Sequence, residues 1–255
     1  MKQNNQRLEG FAEFSREVAA EGAVLLKNHH HTLPIRQDER VAVFGRIQNS
    51  YYKSGTGSGG LVNVDYTVNI LEGLRQSGIV QIDEILAAHY QTWVNDHPFE
   101  KGEGWGQEPW SQKEMPISDN LVFEVSQRND IAIVMIGRTA GEDQDARNEA
   151  GSYLLTDLEK DLISKATHFF KRCAVILNVG NIIDMKWVDE FNVPAVMYVW
   201  QGGMEGGNAV ADVLTGKVTP SGKLSNTISY ELEDVFSTKN FGRKDYNIYQ
   251  EDIDP

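Results

Sequence analysis

The sequence predicts an α/β fold, a three-layer α/β/α sandwich with a mainly parallel sheet of about six strands. Several short apolar runs are rich in β-branched residues, which is typical of parallel strands buried on both faces. Segments with helical spacing of apolar residues alternate with these runs, as expected when helices cover both faces of one sheet. The length of 255 residues and the 40% hydrophobic composition suit one large domain. The clearest runs are residues 40–45, 131–136, 173–180 and 194–200.

The first half of the chain begins the alternation. Apolar residues from Leu8 to Lys27 recur at roughly helical spacing, so we expect an amphipathic opening helix. After the strand at residues 40–45, the stretches Thr67 to Ser77 and Asp83 to Asn95 predict helices on either side of a short strand at residues 79–82. A long loop at residues 97–116, which contains three glycines and two tryptophans, then interrupts the pattern. Its tryptophans would either stack on the apolar face of a sugar or pack inward.

The second half predicts strands at residues 131–136, 173–180 and 194–200 with helices between and after them. Thr156 and Glu159 form a capping box, which predicts a helix start. From Tyr230 onward the sequence is polar and predicts no regular element.

Four carboxylates follow the strand at residues 131–136. In an open α/β sheet, ligands bind beyond the carboxyl ends of the strands, so this acidic loop lies where a substrate is expected. Alternatively, its acidic residues are solvated or favoured by the dipole of the next helix. Only Arg138 and Arg147 are near enough in sequence to offset the repulsion among these four carboxylates. The residues alone leave both interpretations open for Glu142, Asp143, Asp145 and Glu149.

Composition excludes several classes of function. The formal net charge of −13, with no basic cluster, disfavours nucleic acid and anionic membranes as partners. The N-terminus lacks the apolar core of a signal peptide and no apolar run could span a bilayer, so we expect a cytoplasmic protein. The isolated histidines do not have metal-ligand spacing, and His29 to His31 predict a turn. Cys173, the single cysteine, lies in an apolar strand and is expected to be structural.

No cofactor is predicted. Gly55, Gly57 and Gly60 formally match the dinucleotide pattern, but they lie about ten residues past the strand and no helix follows directly to hold a pyrophosphate. Ser54 and Ser58 do not stand in the G-x-S-x-G context of a serine hydrolase.

Three separated segments resemble one family, the glycoside hydrolases of family three, in its second or α/β-sandwich domain. Residues 15–35 contain VLLKN and a Leu-Pro step, residues 54–60 read SGTGSGG, and residues 200–224 contain GGMEGG and PSGKL. The resemblance implies a retaining, exo-acting glycosidase of the β-glucosidase type, with its active site between this sandwich and a barrel. The barrel would supply an aspartate nucleophile, and the sandwich would supply the general acid/base glutamate.

The resemblance assigns the acid/base role to Glu142, which follows Gly141 after a central strand. Many relatives continue with glycine, an aromatic residue and Asp-Arg, whereas this chain has Asp143-Gln144-Asp145-Ala146-Arg147, which keeps Asp143, Asp145 and Glu149 as lesser candidates. We expect burial and neighbouring negative charge to raise the pKa of Glu142 from near 4.3 by roughly two units. The expected substrate-binding residues are Tyr51, Lys53, Ser54, Thr56, Gly57, Ser58, Asp143 and Asp145.

The implied partners are a β-linked glucoside or related oligosaccharide and the barrel domain of the same enzyme, and the oligomeric state is left open. We expect residues 1–228 to form the sandwich domain and residues 229–255 to form a linker toward the absent barrel, in an enzyme with reversed domain order. The alternative is a stand-alone α/β domain that binds carbohydrate or a partner without catalysis.

Overall fold

A computed structural model describes residues 8–60, 62, 64–142, 145–235 and 238. It contains one six-stranded sheet covered by helices on both faces, which confirms the predicted three-layer α/β sandwich. The strands are β1 Val24–Asn28, β2 Arg40–Phe44, β3 Gln81–Ile82, β4 Ile131–Arg138, β5 Cys173–Val179 and β6 Ala195–Tyr198. The helices are α1 Phe11–Glu21, α2 Ile70–Ser77, α3 Glu84–Asp96, α4 Asp119–Ser126, α5 Asp157–Phe169, α6 Trp187–Glu190 and α7 Gly206–Leu214.

The order of the strands creates a crevice in the middle of the sheet. The order is β1-β6-β5-β4-β2-β3, with β1 antiparallel to β6 and every other pair parallel. From β2 the chain moves outward to β3, then returns to the other side of β2 and continues outward through β4, β5 and β6. The loops that follow β2 and β4 therefore diverge to opposite faces, and the crevice between them is the usual ligand site of such folds.

The central strands are buried on both faces. In β4, Val134 and Ile136 belong to one core cluster, while Ile133 and Met135 belong to the other. The first cluster is covered mainly by α3, α4, α5 and α6, and the second by α1, α2 and α7. This double burial is why β4 and β5 could be predicted as continuous apolar runs. Cys173 is buried in β5, and burial raises the pKa of its thiol to about 12.

The prediction of one long opening helix was wrong. Helix α1 ends at Glu21, and residues 24–28 form the edge strand β1, with Val24 opposite Tyr198. Adjacent Leu25 and Leu26 fit the helical spacing, but hydrogen bonds to β6 decide the conformation. Helix α2 also begins later than predicted, because Asn69 and Glu72 form a capping box. Helix α4 was not predicted.

Residues 229–235 lie against the domain rather than apart from it. Lys186 Nζ lies 2.9 Å from Glu231 Oε1, and Tyr153 Oη donates a hydrogen bond to the carbonyl of Ser229. A short 3₁₀ turn spans Leu232–Asp234. Of the later residues only 238 is described, so the domain boundary at residue 228 stays a prediction. Within these described ranges, no helix combines the length and apolar character that crossing a membrane requires.

A buried ion pair joins the end of β4 to the start of α5. Arg138 Nη1 and Nη2 donate to the two carboxylate oxygens of Glu159 at 2.6 and 2.7 Å, and both side chains are almost fully buried. Arg138 also donates to the carbonyls of Ser152 and Leu154 at the end of the loop between these elements. Glu159 in turn accepts from the backbone and the hydroxyl of Thr156, as the predicted capping box requires. The pair therefore fixes where this loop returns to the fold.

We predict that Arg138→Ala lowers the free energy of unfolding by about 3–5 kcal/mol, because it leaves the Glu159 carboxylate buried without its cation. The matched control is Arg75→Ala, which breaks an exposed ion pair with Glu84 and should cost only about 0–1 kcal/mol. Urea denaturation followed by circular dichroism measures both. Equal, small losses for the two variants would contradict the structural role of the buried pair.

Candidate active site

Two loops meet at the crevice between β2 and β4. We call residues 45–69 the glycine-rich loop and residues 139–155 the acidic loop. The backbone N–H of Thr56 donates to the carbonyl of Ala140 at 2.7 Å, and Thr56 forms a parallel bridge with Gly141. The Thr56 hydroxyl donates to the carbonyl of Glu142 at 3.3 Å. The two loops are thus joined through main-chain groups directly before Glu142.

Ser58 holds the carboxylate of Glu142. The backbone N–H of Ser58 donates to Glu142 Oε2 at 3.0 Å, and the Ser58 hydroxyl donates to the same oxygen at 2.8 Å. Gly57, the residue before Ser58, has a φ of +71°, and an added Cβ would lie 2.4 Å from Glu142 Cβ. Only glycine allows the glycine-rich loop to approach the glutamate this closely.

The electrostatic setting of Glu142 differs from the prediction. The side chain is exposed, and hydrogen bonds from the Ser58 backbone and hydroxyl lower its pKa below the ordinary value instead of raising it. The cations near it in sequence are engaged elsewhere. Arg138 pairs with Glu159, and the Arg147 guanidinium lies 5.1 Å from the ring centre of Trp110. In the described chain, therefore, hydrogen bonds from Ser58 rather than a neighbouring cation favour the ionised form of Glu142.

Asn178 at the end of β5 anchors the start of the site, and the sequence-based prediction missed it. Its Oδ1 accepts from the Tyr52 N–H at 2.8 Å, and its Nδ2 donates to the carbonyls of Tyr52 and Trp200 at 3.0 and 2.6 Å. The side chain is fully buried. A lone amide in an otherwise apolar strand was the available signal, because buried polar groups require partners.

A cleft of about 660 Å³ opens beside the glycine-rich loop. The loop of residues 97–116 forms the opposite wall. Trp105 in that wall is half exposed, as a sugar-stacking residue requires, whereas Trp110 is only partly exposed and lies beneath Arg147. Burial raises the pKa of Glu108, a cleft residue that the sequence-based prediction also missed. The lining includes Tyr51, Tyr52, Lys53, Ser54, Thr56, Gly57, Phe99, Lys101, Trp105, Gln107 and Glu108.

The predicted substrate-binding residues divide into three groups. Five of them line the cleft, and Ser58 lies beside it on Glu142. Asp145 is exposed in the acidic loop, and Asp143 lies outside the described residues. Among the five, the Tyr51 hydroxyl accepts from the Gly202 N–H at 2.9 Å, and burial raises its pKa to about 12. The five cleft residues are Tyr51, Lys53, Ser54, Thr56 and Gly57.

Comparison with known proteins places this geometry in one family. Residues 23–254 match the family described as the glycosyl hydrolase family 3 C-terminal domain. The chain is 53% identical to a β-glucosidase of Ruminococcus albus over 95% of the chain and 25% of the relative. It is 37% identical to β-glucosidase A of Butyrivibrio fibrisolvens over 94% of the chain and 31% of the relative.

Solved structures give the same relationship. A β-glucosidase from Paenibacillus barengoltzii superposes with a TM-score of 0.92 at 54% identity, over 96% of this chain and 27% of that one. β-Glucosidase 3B from Thermotoga neapolitana, solved in complex with α-D-glucose, superposes with a TM-score of 0.82 at 32% identity, over 92% of this chain and 33% of that one. The chain thus spans between a quarter and a third of the length of these relatives. It belongs to glycosyl hydrolase family 3, matching the C-terminal domain of that family.

Proposed function

We propose that this chain is the α/β-sandwich domain of a retaining, exo-acting glycoside hydrolase of the β-glucosidase type. Glu142 acts as the general acid/base, and the nucleophile comes from a barrel domain that lies outside this chain. The observation that carries the proposal is the carboxylate of Glu142, exposed at the crevice between β2 and β4 and oriented by Ser58 through one oxygen. The relatives are β-glucosidases three to four times longer than the chain, which leaves length for a second domain.

The proposed reaction needs two carboxyl groups about 5 Å apart. In the first step the barrel nucleophile attacks the anomeric carbon, and protonated Glu142 gives its proton to the departing glycosidic oxygen. In the second step ionised Glu142 takes a proton from water, and the resulting hydroxide displaces the enzyme carboxylate from the anomeric carbon. Glu142 therefore alternates between acid and base within one turnover.

The hydrogen bonds from Ser58 favour the second of these states. They stabilise the carboxylate, which is the form that must accept a proton from water. The first step needs the opposite form, so another influence must raise the pKa of Glu142 when substrate is bound. Covering the exposed side chain with the barrel and a sugar would remove it from water and shift its pKa upward.

The cleft provides the proposed contacts to the substrate, a β-linked glucoside or related oligosaccharide. Lys53, Ser54 and Thr56 supply donors and acceptors for sugar hydroxyls on one wall, and exposed Trp105 supplies an apolar face on the other. Asp145, with Asp143, completes the proposed set on the acidic loop. Residues 229–255 are proposed to connect this domain to the barrel.

The same cleft carries the second candidate, a carbohydrate-binding domain without catalytic function. Exposed Trp105 beside a polar wall would bind a sugar in either case. The two functions differ in whether Glu142 matters for turnover in the complete enzyme, so variants of that residue distinguish them.

We predict that Ser58→Ala raises the pKa of Glu142 in the 255-residue chain. The substitution removes the hydroxyl that lowers this pKa and keeps the backbone N–H, so the rise should be partial. Titration of the Glu142 side-chain carbon by NMR measures it. Ser54→Ala in the same loop is the matched control, since Ser54 accepts from Lys53. An unchanged or lower pKa in Ser58→Ala would refute the proposed contact.

We predict that the 255-residue chain alone has no measurable β-glucosidase activity, because it lacks the nucleophile and most of the sugar contacts of the proposed site. The assay is release of the aryl group from an aryl β-glucoside, with a full-length relative as the positive control. Turnover by the chain that disappears in Glu142→Ala would show a self-contained enzyme and overturn the divided site.

In the enzyme that joins this chain to its barrel, we predict that Glu142→Ala slows substrates with poor leaving groups by about 10²–10⁴-fold. Aryl glucosides with good leaving groups need no proton in the first step and should be affected much less. Azide should accelerate their turnover, since a small anion can attack the glycosyl-enzyme without a general base.

Asp145→Ala is the matched carboxylate control for that experiment, because Asp145 lies in the same loop and is also exposed. It should show neither the leaving-group dependence nor azide rescue. If Asp145→Ala shows both and Glu142→Ala shows neither, the assignment within the acidic loop is wrong while the family membership stands.

A further inference from the structure

The segment after β6 that reads GGMEGG, residues 202–207, has no part in the proposed chemistry, although four of its residues are buried. It lies at the same edge of the sheet as the glycine-rich loop. We call it the clamp segment, because it contacts both limbs of that loop. The near limb is residues 51–56, the far limb is residues 64–69, and the tip between them carries Ser58.

The first half of the clamp segment binds the near limb. The N–H of Gly202 donates to the Tyr51 hydroxyl at 2.9 Å, and the N–H of Gly203 donates to the carbonyl of Lys53 at 2.9 Å. The Tyr51 ring packs directly on Gly206, where an added Cβ would lie 1.7 Å from the phenol oxygen. A side chain at Gly206 would displace Tyr51 and with it the near limb.

The second half binds the far limb. The Tyr66 hydroxyl donates to Glu205 Oε1, and the N–H of Val68 donates to the carbonyl of Met204 at 2.9 Å. The N–H of Gly207 donates to the carbonyl of Val68 at 3.1 Å. Of these three contacts, the one made by Glu205 uses a side chain of the clamp segment. Its partner Tyr66 is nearer to the tip in sequence than Val68.

Glu205 is itself held rigidly. The residue is 6% exposed, and its Oε2 accepts from Asn208 Nδ2, in the first turn of α7, at 2.8 Å. Every residue of α7 is buried, and Arg16 of α1 pairs with Asp212 of α7 at 2.5 Å. A buried carboxylate is costly unless its oxygens are satisfied, so a hydroxyl donor in the far limb is strongly favoured at this position.

We propose that Glu205 is a positioning residue of the acid/base site: by holding Tyr66 while Gly202 and Gly203 hold the near limb, the clamp segment fixes the tip of the glycine-rich loop so that Ser58 meets Glu142. The step from position to catalysis rests on the proposed function. The contacts that set the position of Ser58 all lie within this chain.

The physical reason lies in the entropy of the loop. The glycine-rich loop covers 25 positions between β2 and α2, and glycine adds backbone freedom at the tip. Fixing both limbs brings the constrained positions closer to the tip, which reduces the conformational entropy lost when the tip is ordered. Releasing the far limb should return that freedom to the tip and weaken the contact with Glu142.

The test compares Tyr66→Phe and Glu205→Gln with the unmodified 255-residue chain by NMR. We expect the amide hydrogen of Ser58 to exchange about three- to tenfold faster in both variants, as loss of one hydrogen bond of ordinary strength predicts. The pKa of Glu142 should rise in both, because the donors from Ser58 are less often in place. The amide of Ile176, in the centre of β5, should exchange as it does in the unmodified chain.

Tyr230→Phe is the matched control, since Tyr230 is 76% exposed and lies outside the glycine-rich loop. Two outcomes would overturn the proposal. One is unchanged exchange at Ser58 and an unchanged pKa of Glu142 in both variants. The other is equal acceleration at Ser58 and Ile176, which would show that the contact contributes only to global stability.

Kinetics of the complete enzyme then separate this inference from the proposed function. Tyr66→Phe should lower kcat several-fold for aryl glucosides with good leaving groups, whose turnover is limited by the second step, in which ionised Glu142 takes a proton from water. Their KM should fall together with kcat, because the glycosyl-enzyme accumulates. If Ser58 exchange and the pKa of Glu142 change while kcat does not, the positioning role stands and the acid/base role of Glu142 fails.

Discussion

The contact between two loop backbones, Thr56 with Ala140 and Gly141, is the constraint on which the site depends. It uses main-chain donors and acceptors, so it fixes distance without relying on the side chains that carry the chemistry. Once it has formed, Ser58 and Glu142 are brought together although 84 positions separate them in sequence. A displacement of either loop would separate the hydroxyl from the carboxylate, since a hydrogen bond weakens steeply with distance and angle.

Three separate anchors bring the two loops to this contact. Arg138 and Glu159 fix the end of the acidic loop, and Asn178 fixes the start of the near limb. The clamp segment holds the glycine-rich loop at both limbs. These anchors include four buried polar side chains that would be costly without their partners: Arg138, Glu159, Asn178 and Glu205. The exposed carboxylate thus rests on a buried polar framework at the carboxyl ends of β4, β5 and β6.

The sequence predicted the fold better than the site. Strands β4 and β5 are apolar except for Arg138 and Asn178 near their carboxyl ends, because both faces are buried, and this pattern can be recognised without knowing which strands lie beside them. Strand β1 was missed because its conformation depends on hydrogen bonds to β6, far along the chain. The sequence did not predict the donors from Ser58 that lower the pKa of Glu142 in this chain, and the predicted rise depends on burial that the described residues do not provide. Asn178 and Glu205 act through contacts that only the folded chain reveals.

Within the proposed mechanism, two parts of the enzyme favour the two protonation states of Glu142. This domain sets the position of Glu142 and favours its ionised form, which is the form needed to activate water. The protonated form has to be favoured by whatever covers the exposed side chain, because burial raises the pKa of a carboxyl group, as does a second carboxylate placed nearby. A glutamate with the opposite arrangement, buried by its own domain, would hold its proton whether or not substrate was present. Exposure in this domain therefore couples the acid form of Glu142 to closure of the site around a sugar, so that proton donation becomes favourable only when a glycosidic oxygen is there to accept it.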